Sequence, residues 1–376
     1  MTQNINRFIS LDIFRGATMA LMVIVNTPGT WSYVYAPLRH AEWHGCTLTD
    51  LVFPFFLFVI GVAMRFSFDK YDICKYGPLF NKIIFRTITI FVIGLLLNAF
   101  PFIRQNWDWS SFRILGVLQR IALAYFFAGF IVLRLDVRGL VKISFFLLFG
   151  YWILLITYGW YSSQDPYALK TNLILVIDRF LLGESHLYGG TGIQFDPEGL
   201  LSTIPSIVTI LIGFLVGTMI KTSNDHEDNV QRMAMLGSLL IIIGWTWGFI
   251  LPINKQLWTS SYVLYTGGIA IILLAGMIWL VDIKKIDWWT KPFVILGSNA
   301  IFLYALSSIW VKILLKISFE LNGKMISGYS YFYKTIFQPL AGNINGSLFF
   351  ALFHVCLLYT SPSPRDLSTS RMPSSA

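Results

Sequence analysis

Between residues 37 and 54 the chain reads Pro-Leu-Arg39-His40-Ala-Glu42-Trp43-His44-Gly45-Cys-Thr-Leu-Thr49-Asp50-Leu-Val-Phe-Pro54. Two imidazoles and two carboxylates crowd this stretch. Histidine is the side chain that exchanges protons near neutral pH, so His40 is a candidate proton-transfer group. Glu42, His44 and Asp50 are candidates for holding a polar substrate beside it. His40 and His44 stand four apart, which would suit a metal on a helix. Gly45 and the tight loop argue against a helix there, and no metal is expected.

Two further groups place ionisable side chains inside apolar runs, where each costs about 2.5–3.5 kcal/mol on insertion scales. In Ser10-Leu-Asp12-Ile-Phe-Arg15-Gly16 the acid and base are three apart, share a helix face and can pair. Asn26 returns to that face about three turns later. Gln119 and Arg120 sit together in another apolar run and must face a bundle interior or a water-filled cavity. A buried arginine there suits a phosphate, a carboxylate or an acidic side chain of another helix. A structural ion pair explains Asp12 and Arg15 equally well, and an internal salt bridge does the same for Arg120. Asp196-Pro-Glu198-Gly199 opens another apolar run, where Glu198 favours a helix N-terminus. Asn299 lies inside the ninth run and is expected to bond a neighbouring helix. Thr49 or Asp50 is expected to cap the second run, with Pro54 in its first turn.

The elements that must position these groups follow from composition. Of 376 residues, 56% are hydrophobic and only 12% charged, with 32 Phe, 17 Tyr and 13 Trp. Mean hydropathy is +0.65. Soluble domains carry about 25% charged residues, so a disordered chain, a secreted disulfide scaffold and a typical cytosolic enzyme are excluded. Three cysteines without a C-x-x-C pair point to neither a disulfide framework nor a zinc site. The expected fold is all-α, a polytopic bundle of about ten transmembrane helices in a lipid bilayer, because lipid leaves unpaired backbone groups no partner. Apolar runs cover residues 11–26, 51–68, 83–100, 114–133, 141–160, 201–220, 233–251, 262–281 and 293–311, with a tenth from Ser347. Lys70, Lys75, Lys82, Arg134, Arg138, Lys142, Lys221, Arg232, Lys284, Lys285 and Lys291 fall in one set of short loops, against Arg39, Arg104, Arg113 and Lys255 opposite. The positive-inside rule then puts the N-terminus in the cytoplasm and His40 outside. The same rule accounts for the +9 charge, and no nucleic acid is expected as a partner.

The tenth run ends near Leu358 and gives way to Tyr-Thr-Ser-Pro-Ser-Pro-Arg-Asp. Residues 356–376 resemble an in-frame translation of a sequencing adapter and are read as a non-native tail, or else as a short disordered Ser/Pro tail. Residues 1–355 form the transmembrane domain.

Several of these motifs together resemble one family. Ser10-Leu-Asp-Ile-Phe-Arg-Gly16, Val25-Asn26, His40-Ala-Glu-Trp43 and Thr49-Asp-Leu-Val-Phe-Pro-Phe-Phe-Leu-Phe58 are similar to the heparan-α-glucosaminide N-acetyltransferase family and its bacterial relatives. The runs from Gly116 to Leu123, Asp196 to Thr203 and Pro252 to Thr259 extend the resemblance to about Val355. It implies a multi-pass protein of the bacterial inner membrane that moves an acetyl group from cytoplasmic acetyl-CoA to an amino sugar or glycan outside. It places the active histidine at His40 and a nearby asparagine at Asn26. With that donor, Arg15 and Arg120 become candidates for the coenzyme A phosphates, with Asp12 setting Arg15 and Gln119 beside Arg120. His44 stands where the family pattern often has Asn, which bears on the acceptor. Some bacterial members are labelled as N-acetylglucosamine-related transporters, so an amino-sugar carrier is the alternative. A homodimer is compatible with either reading.

Overall fold

The computed structural model describes residues 8–68, 76–102, 108–223 and 225–360. Lys70, Lys75, Arg104 and the tail beyond residue 360 lie outside them. Among the described residues the chain is almost entirely helical. Eight helical segments are long and apolar enough to cross a membrane, and a ninth if one bent pair counts as a single span.

The chain divides into two compact units. The second unit, residues 40–276, holds α2 (Leu48–Phe68), α3 (Tyr76–Ala99), α4 (Val117–Val132), α5 (Val137–Ser162), the short α6 (Leu173–Leu182), α7 (Thr203–Thr222), α8 (His226–Trp247) and most of α9 (Ser260–Met277). At its centre α2 and α7 lie almost backbone to backbone. A Cβ on Gly61 would strike the Ile210 carbonyl, and one on Gly213 would strike the Phe58 carbonyl. Close approach through small residues is how helices gain packing where lipid supplies no hydrophobic drive. A second cluster lies beneath the long connection before α7, where Tyr151, Leu155, Ile174, Leu175, Phe195 and Leu257 pack with Trp43 and Tyr167.

The first unit, residues 1–39 and 277–376, holds α1 (Ile9–Asn26), α10 (Lys291–Ser298), α11 (Ala300–Lys316), the hairpin β1 (Ser318–Leu321) with β2 (Lys324–Ser327), α12 (Gly328–Phe332) and α13 (Gln338–Tyr359). The strands pair antiparallel, Ser318 opposite Ser327. Gly16 of α1 and Gly297 of α10 meet backbone to backbone.

All ten expected apolar runs appear as helices, with four differences. The run at 114–133 is the shorter α4. Residues 293–311 are not one straight span: the helix breaks at Asn299, and its two halves are bent by 83°. The last helix begins at Gln338 rather than Ser347, with a break at Gly342 (φ 75°, ψ −170°). Helix α2 begins before Thr49 and Asp50, so neither is its N-cap and Pro54 is not in its first turn.

Candidate functional site

Thr47 immediately precedes α2, and Asp50 lies three residues on. Thr47 N–H donates to Asp50 Oδ2 at 3.1 Å, one half of a capping box, and Thr47 Oγ1 donates to the same oxygen at 3.0 Å. Ala41 N–H adds a third bond at 3.0 Å. Pro54 has no N–H to offer the Asp50 carbonyl one turn back, and the Tyr262 hydroxyl donates to that oxygen instead, at 2.5 Å. Every polar atom of Asp50 on this side is thereby committed, and Oδ1 is left facing the His40 ring.

His40 Nδ1 lies 2.7 Å from Asp50 Oδ1. A carboxylate only accepts, so Nδ1 carries a proton, and in the neutral ring the lone pair is then on Nε2. The Asp50 side chain is 2% exposed and that of His40 is 46% exposed. A fixed, buried acid thus orients an imidazole that opens to its surroundings. Lys255 approaches the same pair, its Nζ 3.2 Å from His40 Nδ1 and 3.6 Å from Asp50 Oδ1.

The loop carrying His40 is pinned by its neighbours. Trp43 donates its indole N–H to the Tyr167 carbonyl at 2.7 Å and meets the Phe195 ring edge-on. Gly45 takes φ 115°, open to glycine but costly for other residues, and donates to the Ile253 carbonyl at 2.7 Å. The turn bearing Lys255 is held just as firmly. Asn254, fully buried, donates to the Trp43 carbonyl at 2.7 Å and accepts from Leu257 N–H at 2.8 Å. Trp258 sits at φ 51°, a strained conformation for a bulky residue. Its ring is gripped by Phe53, Tyr262 and the Arg120 guanidinium 5.0 Å away.

Arg120 is 1% exposed. Its Nη2 donates to the Gly199 carbonyl at 3.2 Å and to Ser202 Oγ. Its Nε and Nη1, and the Nε2 of Gln119 beside it, are buried without a hydrogen-bond acceptor. The turn it holds is braced from outside by Arg113, which clasps Asp196 with two bonds of 2.8 and 2.9 Å and Glu198 with one of 2.7 Å. Burial works against the Arg113 charge, but Asp196 and Glu198 more than offset it and hold the guanidinium above its ordinary pKa.

Glu42 and His44 are exposed on the same loop as His40, and His44 Nδ1 lies 3.4 Å from Asn254 Nδ2. In the first unit Arg15 donates to Asp12 Oδ1 at 2.6 Å and to the Gly297 carbonyl. Asn26 ends α1, exposed, its amide donating to the Met22 carbonyl at 2.9 Å. Of the sequence candidates, His40 meets Asp50, Asp12 meets Arg15, and Gln119 and Arg120 share the interior of the second unit. Among the described residues no group of three His, Cys, Asp or Glu side chains is arranged to hold a metal. Cys46, the nearby thiol, is pushed up to about 12 by burial, with the Asp50 charge adding to the effect. It is therefore no thiolate nucleophile at neutral pH.

These features lie largely within residues 7–246, which match the family model for heparan-alpha-glucosaminide N-acetyltransferase, catalytic. The chain belongs to this N-acetyltransferase family. It is 29% identical over 351 residues to the heparan-alpha-glucosaminide N-acetyltransferase of Mus musculus, across 80% of this chain and 53% of the relative. It is 29% identical over 350 residues to that of Homo sapiens, across 79% and 52%. The chain spans about half the length of the curated relatives it matches.

Three residues that the fold brings against these candidates were not singled out by the local sequence: Lys255, Arg113 and Asp178. The run around Lys255 carried part of the resemblance, as did the run around Asp196, the partner of Arg113; no sequence signal pointed to Asp178. Asp178, on α6, is fully buried; its Oδ1 accepts from Leu200 N–H at 3.0 Å and its Oδ2 has no partner. Burial pushes this carboxyl up to about 7, against about 3.9 when unfolded. Stability from the protonated acid is complete below about 4 and is lost as pH rises through 7. Asp178→Asn keeps the acceptor for Leu200 and cannot ionise. It is expected to be near neutral at pH 3.5 and stabilising at pH 8, the difference growing between those limits by ~1.4 kcal/mol per pH unit and levelling off above about 7. Thermal unfolding followed by tryptophan fluorescence at the two pH values checks this; equal effects at both would refute it.

Proposed function

We propose that this protein transfers an acetyl group from acetyl-CoA to the amine of a glucosamine-type sugar or glycan at the outer face of the bacterial inner membrane. The observation that carries the reading is the His40–Asp50 pair on the segment matched to the N-acetyltransferase family. Acyl transfer to an amine needs a base for the amine proton as the new bond forms. His40 offers Nε2, because Asp50 occupies Nδ1. The amine attacks the thioester carbonyl, the C–S bond breaks and the amide C–N bond forms. The amine proton passes to Nε2 and then to the departing thiolate, giving free coenzyme A. The imidazole left behind is charged only transiently, and the Asp50 carboxylate stabilises it. An acetyl group resting on Nε2 between two half-reactions uses the same geometry.

The donor's phosphates need cationic partners. Arg120 and Gln119 hold buried donors with no acceptor, and these are the interior groups assigned to coenzyme A. Arg15, set by Asp12, is assigned to its cytoplasmic approach. Glu42 and His44, exposed beside His40, are assigned to the acceptor, and Asn26 to orienting the reacting groups. The same unpartnered interior donors would suit the polar path of an amino-sugar carrier, which makes that the competing function. Purified protein in lipid vesicles, given acetyl-CoA and glucosamine, is expected to release thiol and form N-acetylglucosamine in equal amounts. Vesicles that release no thiol under these conditions, yet accumulate N-acetylglucosamine unmodified when it is supplied in place of glucosamine, would establish the carrier instead.

A further inference from the structure

Lys255 lies beyond residues 7–246, yet it is the group that meets His40 and Asp50 together. Its Nζ is 3.2 Å from His40 Nδ1, and the ammonium and the imidazole both reach for one oxygen, Asp50 Oδ1. The other oxygen, Oδ2, is already filled by Ala41 and Thr47. We propose that Lys255 balances the Asp50 carboxylate and so keeps His40 neutral, with Nε2 open, until a proton arrives from the acceptor amine. The inference rests on the transfer reading for its catalytic meaning, but not for its chemistry.

The argument is one of charge. A buried carboxylate 2.7 Å from an imidazole, with nothing to offset it, strongly favours the imidazolium. That form has no lone pair on Nε2 and cannot act as a base. With an ammonium 3.2 Å from the ring, a second positive charge there meets repulsion. The pair Asp50 and Lys255 is then neutral beside a neutral ring. When His40 does take a proton, the repulsion speeds its onward release to the departing thiolate. The titrations of His40 and Lys255 are therefore linked through the oxygen they share. Burial lowers the Lys255 ammonium from its ordinary range, opposed by the Asp50 and Glu198 carboxylates. The other groups facing this set are Cys46, on the loop before α2, and Glu198, on the turn before α7; Glu42 and His44 flank it on the His40 loop itself.

The geometry of the turn shows that Lys255 is placed rather than merely near. Asn254 immediately before it is fully buried and bonded to the backbone of the His40 loop. Trp258 after it is held in a strained conformation by three packed partners. Strain of this kind persists where the surroundings over-determine it.

The test reads His40 directly in the full-length protein in lipid nanodiscs. Diethyl pyrocarbonate modifies neutral imidazole, and mass spectrometry of the His40 peptide follows its extent against pH. Lys255→Met is expected to move the midpoint for His40 to higher pH by about one unit, the low end for a charge within ~4–6 Å because His40 is half exposed. Lys255→Arg keeps the charge and is expected to leave the midpoint where the wild type has it. His226, on α8, serves as the internal control and should not move. Where Lys255→Met does not fold, Lys255→Gln carries the same expectation. Coincident midpoints for wild type and the neutral variants, or a shift to lower pH, would overturn the proposal. Thiol release measured in parallel separates the two readings. A shifted midpoint without transfer in the wild type rejects the acetyltransferase and retains the role of Lys255. Transfer with an unmoved midpoint does the reverse.

Discussion

His40→Ala is expected to lower kcat/KM for thiol release from acetyl-CoA by about 10²–10⁴, the usual contribution of a positioned general base. The variant removes a half-exposed side chain from a loop whose anchors, Trp43 and Gly45, lie elsewhere, so folding should be nearly unaffected. Asp50→Asn should be almost as damaging, for a reason specific to this site. Ala41 N–H, Thr47 N–H and Thr47 Oγ1 all donate to Oδ2. An asparagine must therefore turn its amide oxygen toward them and its NH2 toward His40 Nδ1. Nδ1 then becomes the acceptor and the proton moves to Nε2, the atom that must accept one from the substrate. The base would be present in the wrong tautomer. Initial rates over a range of glucosamine concentrations, with a normal thermal unfolding midpoint as the fold control, decide the matter. A His40→Ala protein retaining more than about a tenth of the wild-type rate would remove the imidazole from the chemistry, given the size of effect a base supplies.

Much of the scaffold was legible because the membrane makes it so. A run of apolar residues long enough to cross lipid has little choice but to be helical, and each of the ten runs read from the sequence is a helix. What hydropathy does not encode is where such a helix breaks. Asn299 lies inside an apolar run of unremarkable composition, yet the chain turns through 83° there. The start of α2 was misjudged because Thr49 and Asp50 are both good caps by type; only the three-residue spacing from Thr47 to Asp50 makes the capping box. The site itself divides in the same way. His40 and Asp50 are ten residues apart in one loop-and-helix segment, and local sequence was enough to single out both. Lys255 is 215 positions from His40, and Asp196 is 83 positions from Arg113. No periodicity links such pairs, and they are recognisable only once α7 and the turn before α9 have been packed against α2 and α4. Arg120 shows the intermediate case. Its position inside an apolar run marked it as significant, but its stacking on Trp258 and its bond to the Gly199 carbonyl are properties of the folded unit.

The Arg113 clasp is where the largest loss of stability is expected. Asp196 is fully buried and both its oxygens are bonded to one guanidinium; Glu198 shares Nη2. Arg113→Leu removes the cation and leaves two carboxylates on one turn, the deeper of them without a counter-charge. Breaking a buried pair from one side costs about 3–5 kcal/mol, because the remaining charge keeps its desolvation penalty and loses what offset it. Arg113→Lys should lie between, since an ammonium cannot reproduce the two parallel bonds to Asp196. Neutralising the acids as well, in Arg113→Leu with Asp196→Asn and Glu198→Gln, should recover a good part of the loss. That recovery separates an electrostatic cost from the loss of packing against Tyr188, whose ring lies 4.6 Å from the guanidinium. Unfolding in detergent, followed by tryptophan fluorescence at neutral pH, reads all three variants. An Arg113→Leu protein as stable as the wild type would mean that the acids find solvent when the arginine is gone. The turn that they hold also carries the Gly199 carbonyl bonded by Arg120, so a loosened clasp is expected to reach the Trp258 stack and, through it, the turn that presents Lys255 to His40.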